Sequence, residues 1–211
     1  MPFSFKDCIT AKYSQNDDAL LKSRQTGAAK DGCCIGLSML WAGRHLAQKN
    51  EKPEDRLKFI TTDRDRVVAA QLAYEAAPGA AGTAKEGPLW ASYGFTVSDY
   101  KSDHVASPAE GGAKQMATAI TDMLVDAGGK HRYASLTWRS PRGGHQMVSY
   151  HSGGNMLGMN SHLHFFDPNA GEFKIGNGDM AEFFQQYWWS ARADAKLSQI
   201  MQVTWALLTP R

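Results

Sequence analysis

The chain has 211 residues, 43% of them hydrophobic, and a formal net charge of +2. That length suits one domain with a real core, and so small a charge, with no block of Lys or Arg, argues against a nucleic-acid partner. No apolar run approaches the roughly 18 residues of a membrane helix, and the N-terminus carries no charged-then-apolar leader. Neither stable membrane insertion nor a conventional secretion signal is therefore expected.

Residues 1–30 mix small and polar types around Asn16-Asp17-Asp18 and Gly27-Ala28-Ala29, and read as an irregular arm with a short turn near Ala19-Leu20-Leu21. The remainder, 31–211, reads as one catalytic domain. It opens on Asp31-Gly32-Cys33-Cys34-Ile35-Gly36-Leu37-Ser38-Met39-Leu40-Trp41, where Asp31 is a capping side chain and Leu37, Leu40 and Trp41 recur at helical spacing. Two glycines there let the backbone come close to a neighbour. A thiol in the first turn of a helix lies among unpaired N–H groups at the positive end of the dipole, which favours thiolate. Without such help a thiol titrates near about 8.5 and is mostly protonated at neutral pH. The spacing leaves Cys33 and Cys34 as equal candidates. Three cysteines, two of them adjacent, do not form a disulfide framework and suit a reducing compartment.

The first helix is expected to run over 34–49, and Pro53 opens a helical region over 54–77, in one or two pieces. Asp63-Arg64-Asp65-Arg66 within it reads as a solvated charged patch. The stretch 78–108, rich in Gly, Ala, Ser and Pro, reads as a long loop pinned by Trp90, Tyr93, Phe95 and Tyr100, and is a candidate substrate-binding edge. A helix over 109–127 follows, stopped by Gly128-Gly129. The period then becomes alternating, with strands over 133–138, 146–150, 163–166 and 173–175, the last two joined by the turn Asp167-Pro168-Asn169-Ala170-Gly171. A helix over 179–192, carrying Phe183, Phe184 and Tyr187, and a strand over 200–208 complete an α+β pattern with helices first and antiparallel strands later.

A thiolate nucleophile needs a base within reach and a third group to orient that base. His145 follows Gly143-Gly144 at the start of a strand, and Asp167 stands at the end of a later one. End residues of neighbouring antiparallel strands can lie side by side. His162 and His164 share a strand face and could ligate zinc or copper, but no third ligand stands at convincing spacing, so no metal is expected.

Gly32-x-Cys34-x-Gly36-Leu37-Ser38-x-x-Trp41, Gly144-His145 and Phe165-Phe166-Asp167-Pro168-Asn169-x-Gly171-Glu172-Phe173 together resemble the YopT/AvrPphB-type cysteine proteases, papain-like effectors that bacteria deliver into other cells. The resemblance spans residues 30–180 and keeps the order Cys, His, Asp. It implies a papain-like fold, a helical layer on an antiparallel sheet, with Cys34 as nucleophile, His145 as general base and then acid, and Asp167 as orienting carboxylate. Cys33, a second thiol beside the nucleophile, departs from the pattern. In this scheme the backbone N–H of Cys34 is one oxyanion donor. Papain-like enzymes take a second from an upstream amide, for which Gln25 is the candidate. The resemblance further implies a cysteine endopeptidase without cofactor and a protein substrate in the cytoplasm of a target cell. It also implies delivery by a dedicated bacterial secretion system and leaves room for a secretion chaperone or a cognate inhibitor. The same three residues could instead deamidate or transglutaminate a glutamine or cleave a cell-wall amide, and a scaffold of this kind could also serve as an inactive binding module.

Overall fold

A computed structural model describes residues 3–80, 82–104, 114, 117–118, 120–124, 133–140, 143–153, 161–191 and 202–211. Around one antiparallel sheet stand β1 (Ile9–Lys12), α1 (Ala19–Arg24), α2 (Cys34–Ala47), α3 (Pro53–Thr62), α4 (Arg64–Ala76), α5 (Thr83–Ala91) and β2 (Phe95–His104). They are followed by β3 (Tyr133–Ser140), β4 (Gly143–His151), β5 (His162–Asp167), β6 (Gly171–Gly176), α6 (Met180–Ala191) and β7 (Gln202–Pro210). The strand order is β1-β6-β5-β4-β3-β7-β2.

Alternation along the strands splits the core in two. Tyr133, Val148, Tyr150 and Phe166 face the layer of α2 to α5, where Leu37, Trp41, Ile60 and Val67 are buried. Leu136, Trp138, Met147 and Phe165 face the opposite layer, with Phe183, Phe184 and Tyr187 of α6 and the described helical residues at 117–124. The expected α+β class and antiparallel sheet are present, and the sheet carries helices on both faces rather than one. The expected helix over 109–127 is helical wherever described from 114 to 124, and its remainder lies outside the described residues.

Several local expectations change. Residues 3–30 are not irregular throughout: β1 pairs antiparallel with β6, and α1 forms where a turn was expected, capped by Asp18 accepting from the Leu21 N–H at 2.9 Å. β1 can lie this close because a Cβ on Gly171, whose φ is +113°, would stand 2.1 Å from the Ala11 carbonyl oxygen. The helical region over 54–77 breaks in two at Asp63, whose side chain caps α4 by accepting from the Arg66 N–H. Its neighbours are paired rather than merely solvated, Arg64 with Asp18 at 3.0 Å and Asp65 with Arg24 at 2.7 Å. The stretch 78–108 holds a helix and a ten-residue strand, α5 and β2, as far as it is described. Its aromatic residues do pack: Trp90 and Phe95 are fully buried. Gly87-Pro88 and the polar run of β2, which lies at the sheet edge, masked both elements from periodicity.

One buried charge ties the layers together. Glu172 on β6 is wholly buried and accepts from Trp41 Nε1 of α2 at 2.8 Å and from Arg56 Nη1 of α3 at 2.6 Å, with His164 Nδ1 of β5 at 3.4 Å. Burial pushes its carboxyl up, but His164, Arg56 and Trp41 outweigh burial and hold it below the ordinary value. Removing one partner of such a pair strands the other charge in the core, at a cost of about 3–5 kcal/mol. Arg56→Ala should accordingly lower the unfolding free energy in urea by about that amount; an unchanged midpoint and slope would contradict the assignment.

Candidate active site

Cys34 is the first residue of α2, whose first turn is capped by a side chain from another helix rather than by Asp31. The N-cap is Cys33, which supplies no side-chain cap, while Asp31 closes the preceding 3-10 turn. Gln71 of α4 takes the capping role: its Oε1 accepts from the N–H groups of Ile35 at 3.1 Å and Gly36 at 3.3 Å. Gly36 permits that approach, since a Cβ there would meet the Val67 carbonyl oxygen at 2.2 Å. The close neighbour anticipated from the glycines is thus α4. From the other side, Ser38 Oγ donates to the Gln146 carbonyl at 3.1 Å and fixes α2 against β4.

The adjacent thiols have separate surroundings. Cys34 lines a cavity of about 740 Å³ together with His145, Gln15, Gln71, Arg139 and Asn169. Cys33 is fully buried and does not line it. Burial pushes the Cys33 thiol up to about 11, although the Gln25 amide, donating to its Sγ at 3.6 Å, opposes that rise.

His145 and Asp167 arrive from neighbouring strands. β4 and β5 pair with Val148 opposite Phe166, so continuing that register sets Asp167 opposite Met147, diagonal to His145 and on the same face of the sheet. The two side chains are 5% and 4% exposed, and His145 Nε2 lies 2.6 Å from Asp167 Oδ1. The same oxygen accepts from the Asn169 N–H at 2.7 Å, and Oδ2 accepts from the Tyr187 hydroxyl of α6. Burial opposes a charge on His145. The Asp167 carboxylate, by charge and hydrogen bond, and the Cys34 sulfur, which also interacts with the ring, outweigh burial and push the imidazole up to about 10. With Nε2 committed to Asp167, Nδ1 is the ring nitrogen left to meet Cys34.

Gln25 does not line the cavity, and its amide is directed at Cys33. Gln15, ten residues further upstream, does line it. Its Oε1 accepts from the Cys33 N–H at 2.8 Å, and its Nε2 donates to Asn169 Oδ1 at 2.8 Å, so it bridges the cysteine turn to the Asp167-Asn169 turn. No local pattern marks Gln15; its place follows from the long-range pairing of β1 with β6. His162 and His164, the candidate metal pair, lie with their Nε2 atoms 3.0 Å apart, beside Glu172 and away from this cavity.

The fold is one that a known bacterial protein shares. The Pseudomonas avirulence protein AvrPphB superposes with a TM-score of 0.71 at 16% sequence identity, over 98% of this chain and 100% of that one. PatoxP, a cysteine protease-like domain of the Photorhabdus asymbiotica toxin PaTox, gives a TM-score of 0.49 at 15% identity, over 97% of this chain and 55% of that one. No protein-family model matches the sequence, and no curated protein matches it. The AvrPphB-like architecture expected from the motifs is therefore present as a fold.

Because Gln71 is the only capping side chain of α2 among the described residues, Gln71→Leu should lower stability by about 1 kcal/mol, the usual weight of a lost helix cap. Thermal unfolding measures it, and an unchanged midpoint would show that the cap contributes nothing.

Proposed function

We propose that the chain is a cysteine peptidase in which Cys34 is the nucleophile, His145 the general base and acid, and Asp167 the residue that orients and charges the imidazole. The observation that carries this reading is the convergence, at one cavity, of a helix-tip thiol and a buried imidazole–carboxylate pair. The raised His145 pKa supports a thiolate–imidazolium pair at neutral pH, with the thiolate further favoured by the N-terminus of α2. Attack of Cys34 Sγ on a peptide carbonyl forms a C–S bond. The imidazolium proton passes to the departing amine as the C–N bond breaks. His145 then takes a proton from water, which displaces the thiolate from the acyl-thioester.

The developing oxyanion needs donors. The Cys34 N–H is one: no acceptor takes it among the described residues, whereas Ile35 and Gly36 are capped by Gln71. For the second, Gln15 is favoured over Gln25, since its Nε2 stands in the cavity wall and keeps one proton beyond that given to Asn169. The motif resemblance to YopT/AvrPphB-type proteases and the AvrPphB-like fold support a protein substrate in a target cell, with delivery by a bacterial secretion apparatus. No helix among the described residues is long and apolar enough to cross a membrane.

Two sets of variants test the site. Cys34→Ser should abolish cleavage of a protein substrate and Cys33→Ser should retain it, read as product fragments by mass spectrometry; the reverse would move the nucleophile to Cys33. Gln15→Ala should lower turnover on the order of a hundredfold or more while Gln25→Ala leaves it near wild type. Loss of activity only in Gln25→Ala would restore Gln25 as the donor.

A further inference from the structure

Asp167 has two carboxylate oxygens, and the proposed triad uses one. Oδ1 accepts from His145 and from the Asn169 N–H, while Oδ2 accepts from Tyr187 of α6. Nothing in the motifs around Cys34, His145 or Asp167 includes Tyr187, which reads in sequence as one more apolar position of an aromatic helix.

We infer that Tyr187 is a positioning residue of the site: its hydroxyl fixes the Asp167 carboxylate in the rotation that meets His145. This rests on the triad reading above and extends it to a fourth element, α6, on the face of the sheet opposite α2. The phenol is well suited to the task because its ring cannot move. It stacks on Phe183 at 5.4 Å and 8°, stands edge-on to Phe165 at 5.5 Å and Phe173 at 5.7 Å, and contacts Trp138 at 5.9 Å. Trp138 is in turn the residue paired with His145 across β3 and β4, so the cage around the tyrosine and the strand bearing the imidazole move together. α6 is itself tied down at the next residue, where Gln186 accepts from the Phe5 N–H at 3.2 Å and donates to the Phe3 carbonyl at 3.1 Å.

A purely structural tyrosine would affect stability alone. A positioning tyrosine also affects the imidazole. Without its hydroxyl, Asp167 Oδ2 is a buried acceptor with no donor among the described residues, and the carboxylate is no longer held in the rotation that meets His145. The imidazolium then loses part of the support that keeps its proton.

Nitrogen-15 NMR of the His145 ring across pH separates the outcomes. In the wild type the ring should stay doubly protonated until the pH rises towards about 10. Tyr187→Phe should move that titration down on the order of one pH unit. Phe184→Leu removes buried packing on the same helix without touching the hydroxyl, and should keep the wild-type titration while lowering stability. A Tyr187→Phe titration superimposable on wild type, or an equal shift in Phe184→Leu, would overturn this inference alone. A wild-type ring that titrates at the ordinary histidine value of about 6.5 would overturn the triad reading and this inference with it.

Discussion

The structure depends on a carboxylate that never meets solvent. Glu172 binds Trp41 of α2 and Arg56 of α3 from its place on β6 and has His164 of β5 beside it, so that both helices are held to the strand pair whose turn carries Asp167. Glu172 lies opposite Phe166 and next to Gly171, the partner of Asp167. Because Trp41 and Cys34 belong to one helix, anchoring the middle of α2 to β6 sets the position of its N-terminal tip at the cavity. A buried ion pair of this kind is weak evidence for extra stability, but losing either partner would leave the other charge buried and unpaired. The two motifs that look separate in sequence, one ending at Trp41 and one containing Glu172, meet in a single hydrogen bond.

The chemistry is built by the same logic of burial against partner. His145 lies as deep as the core, where burial opposes a charge, and Asp167 and Cys34 outweigh burial and push the imidazole up to about 10. Cys33 shows the contrary case one residue away: burial dominates there and the thiol remains protonated. Identical side chains therefore differ in surroundings through the direction in which the helix start turns them: Cys34 lines the cavity and Cys33 does not. The second layer matters equally. Gln71 caps α2, Gln15 ties the cysteine turn to the aspartate turn, and Tyr187 completes the carboxylate from the far face of the sheet.

Much of this was legible in sequence where the signal is local. The helix-starting glycines and apolar spacing put a thiol at the tip of α2, the motif resemblance singled out Cys34, and the change to alternating period put His145 and Asp167 at strand ends. Whatever depends on distant pairing was not legible. β1 is four residues long and forms only because β6 accepts it, and Gln15 follows β1 into the site. α5 and β2 are hidden by Gly87-Pro88 and by an edge strand polar on its open side. The local sequence offers Asp31 as the helix cap, whereas the cap is Gln71 on another helix. Tyr187 could be recognised as core but not as a hydrogen-bond donor to Asp167.

The central claim is a charged imidazole held between Asp167 and Cys34. Nitrogen-15 NMR of the His145 ring across pH measures it directly. The account predicts a doubly protonated ring at neutral pH that loses its proton only as the pH rises towards about 10, and a lower titration in Cys34→Ser, where the sulfur's charge is gone. A His145 ring that titrates near the ordinary histidine value of about 6.5, unchanged in Cys34→Ser, would contradict it.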